Sequence, residues 1–250
     1  SGIDQEETIL LLYPPSKDDK TREILFIRKS DNHTKVWEGE KLSKKQANEL
    51  SGIDNIHYIE DFKAVLSSIA TKVDTFYINK NEHYRANSPV ETREDRFISW
   101  LLKKYPAHNV AKSNPILQRQ RSIKHPHEID QIKRACEITK KGFNRVLKFI
   151  KPDVWEYEIE AEFIHEFINN SSKGFAYSPI IASGNDNNVL HYIKNNKQCK
   201  SGELILMDVG AEYGNYSSDM TRTVPVSGKF SKRQKEIYNA VLRVKNEATK

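Results

Sequence analysis

Two aspartates near the C-terminus are spaced to hold a cation: Asp208 in Leu206-Met-Asp208-Val-Gly210, and Asp219 in Tyr216-Ser-Ser-Asp219-Met-Thr-Arg222-Thr. Each falls in a strand-like segment, and the loop between them, Glu212-Tyr-Gly-Asn215, has the composition of a turn. If four loop residues close a hairpin, Ala211 opposes Tyr216 and Asp208 opposes Asp219. A tighter turn at Gly214-Asn215 shifts the register but keeps both carboxylates on one face, because side chains alternate with period two. Like charges opposed across a ladder repel. Placed beside the apolar run Leu204-Ile-Leu-Met207, such a pair is expected to have a cation between its members. Asp-x-Gly alone is a common turn, and Asp219 alone could cap one. The pair on one face carries the chemistry.

The histidines divide by context. His191, in Val189-Leu-His191-Tyr192, lies beside a strand-like stretch and by itself reads as well as a structural residue as a functional one. His165 reads as packing or surface. His125 and His127 flank Pro126 in a linker, where solvent is the expected neighbour. Cys136 and Cys199 have no CxxC partner and are too few for a disulfide framework, which fits a reducing, cytoplasmic setting.

Composition narrows the partners. The chain has 250 residues, 37% hydrophobic and 30% charged, enough for two domains of globular balance. No apolar run approaches the ~20 residues of a membrane span, and no basic segment precedes an apolar stretch as in a secretory signal. The net charge is +6. The lysines interleave with Asp, Glu and Asn and not with aromatics, so a solvated surface is expected and nucleic acid is not.

The elements that must position these residues read as follows. Thr8–Tyr13 and Glu23–Arg28 are apolar strands, with Pro14-Pro15 and the Lys17–Lys20 stretch as the turn. Ser43–Leu50 and Phe62–Thr71 suit helices, Asp74–Asn79 a strand, and Glu91–Lys104 a helix with one apolar face ending at Pro106. Asn114–Arg121 reads as an irregular boundary. Pro126 opens a long amphipathic helix. Asp153-Val-Trp-Glu156 resembles a capping box for a second helix, with Gly174 as its terminator. Short strands follow at Ser178–Ala182, Val189–Ile193, Leu204–Val209 and Asp219–Val226, and Ser231-Lys-Arg-Gln234 caps a last helix. The class is α/β followed by α+β.

Several segments together resemble the metal-site region of Xaa-Pro aminopeptidases (aminopeptidase P). They are Asp208-Val-Gly-Ala-Glu212, Tyr216-Ser-Ser-Asp219-Met-Thr-Arg-Thr-Val-Pro225, Ser227-Gly-Lys-Phe-Ser231 and Gln234-Lys-Glu-Ile-Tyr238. Tyr177-Ser-Pro-Ile-Ile-Ala-Ser-Gly184 and Val189-Leu-His191-Tyr192 extend the match. Arg121-Ser-Ile-Lys124, Glu128-Ile129 and, more weakly, Trp37-Glu-Gly39 carry it upstream. The resemblance implies a creatinase-like N-terminal α/β domain, incomplete, over 1–118, and the first half of a pita-bread catalytic domain over 119–250. It implies release of an N-terminal residue from peptides with proline second, by a cytoplasmic homo-oligomer that binds neither membrane nor nucleic acid. It also implies two divalent ions, Mn2+ foremost, with Asp208 chelating one and Asp219 bridging both. His191 becomes the catalytic pocket histidine, with Tyr192 beside it at the substrate. One further His and two Glu ligands are expected beyond Lys250. The chain thus reads as the middle of a longer protein, inactive and without stably bound metal as it stands. Prolidase, which shares the ligand set, is the nearer rival. A non-catalytic pita-bread module that binds peptides or proteins is the other, and it must explain two juxtaposed carboxylates left without a cation.

Overall fold

The computed structural model describes residues 2–16, 18, 21–80 and 88–250, and the chain divides into two compact units, Ser1–Arg119 and Gln120–Lys250. In the first unit, β1 (Ile9–Leu12) runs antiparallel to β2 (Glu23–Ile27). Lys17, Asp19 and Lys20 of the turn expected between them lie outside the described residues. Strand β2 carries Ile24 to Ile27, buried on both faces, and pairs in parallel with β3 (Ile56–Tyr58). Between them come α1 (Asn32–Glu38), capped by Asp31, and α2 (Lys44–Ser51), which Ser43 caps and Gly52 ends at φ 70°. Helix α3 (Phe62–Ala70), strand β4 (Thr75–Ile78) and helix α4 (Arg93–Lys104) follow. Strand β5 (Asn109–Lys112) pairs in parallel with β4. One core gathers Phe26, Phe62, Leu66 and Leu101. A second gathers Leu25, Ile27, Ala47 and Ile53 on the other side of β2. This is the α/β architecture expected.

Helix α5 (Asn114–Ser122) occupies the stretch expected to be irregular. Pro115 lies in its first turn, where a missing N–H costs nothing, so the proline starts a helix there. In the second unit, α6 (Pro126–Phe149) begins where Glu128 accepts the His125 N–H at 2.7 Å. Helix α7 (Glu156–Asn169) is capped at Trp155, two residues later than expected. Asp153 takes a left-handed φ of 73°, and the Glu158 carboxylate accepts the Trp155 N–H at 2.7 Å. Past its C-cap Asn170 the chain reverses at Ser171, φ 65°, with Ser172 N–H returning to the Phe167 carbonyl at 3.1 Å. Gly174 belongs instead to β6 (Gly174–Phe175).

The sheet behind the helices is β7 (Ile180–Ser183), β8 (Leu204–Val209) and β11 (Met220–Pro225), antiparallel in the order β11-β8-β7. A second sheet sets β9 (Ala211–Tyr213) between β6 and β10 (Tyr216–Ser217). Along β8, Ile205, Met207 and Val209 are buried against Ile138, Val146, Ile159, Phe163 and Phe167 of α6 and α7. Alternation then turns Asp208 to the opposite face. Gly142 lets α6 and α7 approach, since a Cβ there would sit 2.8 Å from the Phe167 ring. Helix α8 (Lys232–Ala248), with the Ser231/Gln234 capping box in place, follows. Among the described residues no helix is long and apolar enough to cross a membrane.

Candidate metal centre

The hairpin that brings the aspartates together takes the tighter of the two expected turns. Tyr213 pairs with Tyr216 and Ser217 with Glu212. Only Gly214 and Asn215 remain in the turn, at φ 58° and 66°. Two consecutive positive φ values are those of the type I′ turn, whose twist matches the strands it joins. Asp208 therefore pairs with Thr221 and not with Asp219. Direct opposition of the two carboxylates is not formed, and the alternative, a diagonal placement on one face, is.

Between β8 and β9 the ladder breaks at Gly210. A Cβ there would lie 1.8 Å from the Ser218 carbonyl oxygen, so only glycine allows this crossing. Hydroxyls occupy the break. Thr139 Oγ1 of α6 and Ser218 Oγ lie 2.6 Å apart. The Ala211 N–H reaches both, at 2.9 and 3.0 Å, and Ser218 Oγ donates to the Ala211 carbonyl at 3.1 Å. With Thr139 donating to Ser218, each hydroxyl proton has one acceptor, and the Ala211 N–H is shared between the two oxygens. The residue before Asp219 is thereby fastened to α6. Glu128 adds a second tie by accepting the Tyr216 hydroxyl at 2.7 Å.

Both carboxylates converge on one phenol. Tyr177 Oη donates to Asp208 Oδ1 at 2.7 Å and to Asp219 Oδ1 at 3.0 Å. One hydroxyl has one proton, so the two oxygens share it, and the Oδ2 atoms take no part. Burial, followed by the two carboxylates, pushes the Tyr177 phenol far above its ordinary pKa, which keeps it a donor. Asp208 is half-buried and Asp219 exposed, so the pair has one protected member and one open to solvent. No periodicity in the sequence marks Tyr177 for this position.

The donor chemistry suits a hard divalent cation, since carboxylate oxygens are what such ions take. The fit is partial. Among the described residues no group of three or more His, Cys, Asp or Glu side chains is gathered to hold a metal. What the fold brings together here is two carboxylates on one hydroxyl.

The structure separates the other two expected site residues. His191 is exposed, in a turn after the 3-10 helix Gly184–Asn188. Tyr192 is buried among Ile180, Ala182 and Leu206, and its hydroxyl donates to Glu156 Oε2 at 2.8 Å. The polar end of Tyr192 is thus bound inside the second unit. The strand expected over Val189–Ile193 is also absent. Side chains, not a neighbouring strand, take the outward hydrogen bonds of β7 there.

Comparison with known proteins places this geometry. Residues 130–250 match the model of metallopeptidase family M24, and residues 1–77 match that of the aminopeptidase P N-terminal domain. The chain is 31% identical to the Xaa-Pro aminopeptidase of Haemophilus influenzae over 99% of its own length and 55% of the relative's. It is 30% identical to human Xaa-Pro aminopeptidase 3, over 98% and 48%. Zinc-substituted Escherichia coli aminopeptidase P in complex with product superposes with a TM-score of 0.84 at 30% identity, over 97% of this chain and 55% of that one. Proline aminopeptidase P II of Yersinia pestis gives 0.80 at 28%, over 90% and 52%. The chain spans about half the length of the curated relatives it matches. The mixed architecture, the aspartate pair on one sheet face and these matches agree: the chain joins an aminopeptidase P N-terminal domain to part of an M24 metallopeptidase domain.

Proposed function

We propose that the protein containing these residues is a metal-dependent aminopeptidase that releases the N-terminal residue from peptides with proline at position two. The observation that carries this reading is the convergence of Asp208 and Asp219 on the Tyr177 hydroxyl. It holds two like charges within one donor's reach on a sheet face turned away from the helix core. Asp208 and Asp219 would hold the ions, Mn2+ or a similar hard cation, with Asp219, the exposed member, as the bridging ligand. A bound pair of such ions supplies a nucleophilic water near neutral pH and a polarised substrate carbonyl. Tyr177 keeps the two carboxylates turned toward each other. His191, open to solvent, would donate a hydrogen bond to the peptide or to the charge that develops on its carbonyl. The 250 residues alone, with two carboxylates, would bind ions weakly and turn over no peptide. A cytoplasmic homo-oligomer acting on peptides completes the reading.

The test is hydrolysis of Xaa-Pro peptides by the protein of the complete reading frame, with Mn2+ and after chelation, beside Asp208→Asn and Asp219→Asn. The expected result is chelator-sensitive activity that either substitution abolishes while the fold survives. Retained activity in the Asn variants would refute the ligand roles. Cleavage confined to dipeptides would assign the protein to prolidase.

A further inference from the structure

Strand β7 lies at the edge of its sheet, and its outward N–H groups are taken by side chains. Ile181 N–H donates to Asn195 Oδ1 at 3.0 Å, and Ser183 N–H to Glu156 Oε1 at 2.8 Å. Asn195 Nδ2 returns to the Pro179 carbonyl at 3.0 Å and also reaches Glu160 Oε2 at 2.8 Å. Glu156 and Glu160, one turn apart on α7, thus bracket the irregular chain that follows β7. Glu156 is the tighter post. It is fully buried. Its Oε1 accepts the Ser183 hydroxyl at 2.8 Å as well as the Ser183 N–H. Its Oε2 accepts the Tyr192 hydroxyl at 2.8 Å and the Lys197 N–H at 3.0 Å. Its own N–H donates to the Lys197 carbonyl at 2.9 Å. A buried carboxylate persists only where donors replace its water. This one also stands in the first turn of α7, where the helix dipole favours negative charge. All its acceptor capacity is spent on one task, joining the end of β7 to Tyr192 and Lys197. His191 lies inside that loop, next to one of the two anchors.

We propose that Glu156 is the positioning residue of His191: through Tyr192 and Lys197 it fixes the backbone that presents the imidazole. The proposal rests on the reading of His191 as the pocket histidine. It differs from a general packing role in being local. Glu156→Gln keeps shape and burial, but every partner of the carboxylate is a donor. The new amide NH2 must face either the Ser183 N–H or the Lys197 N–H, and one of the two loses its acceptor.

Hydrogen exchange on the 250-residue chain reads this directly. In Glu156→Gln the amides over 189–198, with Ser183, exchange about tenfold to a hundredfold faster, while those of α6 and β8 keep their rates. Unchanged exchange over 189–198, or acceleration spread equally over the whole unit, would overturn the proposal. Should Glu156→Gln fail to fold, Tyr192→Phe leaves the carboxylate and removes one anchor. It must loosen 192–197 and spare Ser183, and failure to do so is equally fatal. In the peptidase assay on the complete protein, Glu156→Gln lowers kcat about tenfold with KM little changed, and costs nothing further once His191→Ala is present. Additive losses would overturn the link to His191. If His191→Ala leaves hydrolysis intact while the exchange result holds, the reading of His191 falls and the bracket stands.

Discussion

Gly210→Ala tests whether the crossing beside the aspartate pair is as tight as its geometry implies. The added Cβ would lie 1.8 Å from the Ser218 carbonyl oxygen, 2.7 Å from its carbon and 3.0 Å from Tyr177 Cε1. A gap of roughly 1.5 Å must open before ordinary contact is restored. The obstacle is backbone, which cannot swing aside as the end of a flexible side chain would. Ser218 is buried and its hydroxyl is held by Thr139 and Ala211. Moving it breaks two or three buried hydrogen bonds worth about 1 kcal/mol each, besides the overpacking cost of about 1–3 kcal/mol. A destabilisation of about 3 kcal/mol or more follows, or roughly 10 °C in the melting temperature of a unit this size. Gly202→Ala is the control. Its φ of +84° strains an alanine, but nothing lies within 4 Å of the new Cβ, so its cost is about 1–2 kcal/mol. Thermal unfolding followed by circular dichroism compares the two. A Gly210→Ala protein melting within about 2 °C of the parent, or above Gly202→Ala, would refute the reasoning.

Tyr177→Phe keeps the ring against Gly210 and removes the hydroxyl that both aspartates share. Mn2+ binding, followed by water-proton relaxation, is expected to weaken about tenfold or more. Unchanged or tighter binding would mean that the phenol competes with the cation instead of preparing its site. Asp95 predicts an acid response in the first unit. Its hydrogen bond to Lys80, then those to Thr92, lower its pKa from the ordinary 3.8 to about 2. A carboxyl lowered on folding stabilises above its unfolded pKa and loses that effect as pH falls through the folded one. The melting-temperature advantage of the parent over Asp95→Asn should therefore be full above about pH 4 and gone near pH 2. An advantage that stays constant across this window would disprove the assignment.

Regular elements were legible where local signals and burial agreed. The α2 cap at Ser43 with Gly52 behind it, the long helix opened by Pro126 and the Ser231/Gln234 box all stand where the residues indicate. Strand β8 was legible because Leu204–Val209 is apolar on its buried face and carries its one charge on the other. What escaped was local structure settled by distant partners. Strands β3 and β5 are short and weakly patterned, and exist through parallel pairing with β2 and β4. At Asn114–Ser122 a stretch that reads as irregular is a helix, with its proline in the one turn that tolerates it. The turn between the aspartates was read correctly as a turn. Which of two registers it takes depended on Gly214 and Asn215 both adopting positive φ, a choice that composition favours without settling.

Irregular backbone in the second unit gathers around the residues proposed to act. The ladder breaks at Gly210, between the carboxylates, and hydroxyls of Thr139 and Ser218 fill the break. The edge of β7 is closed by Asn195 and Glu156, so that an uncoiled segment carries His191. Each irregularity places a polar group where regular pairing would have placed a backbone bond, and each is stabilised by buried side chains from α6 or α7. Propensity rules fail at such positions because the local chain gives up its own preferred structure to satisfy a neighbour's geometry. The same reasoning explains the setting of Tyr192. Adjacent in sequence to an exposed histidine, it faces the opposite way, and its buried hydroxyl donates to Glu156 of α7.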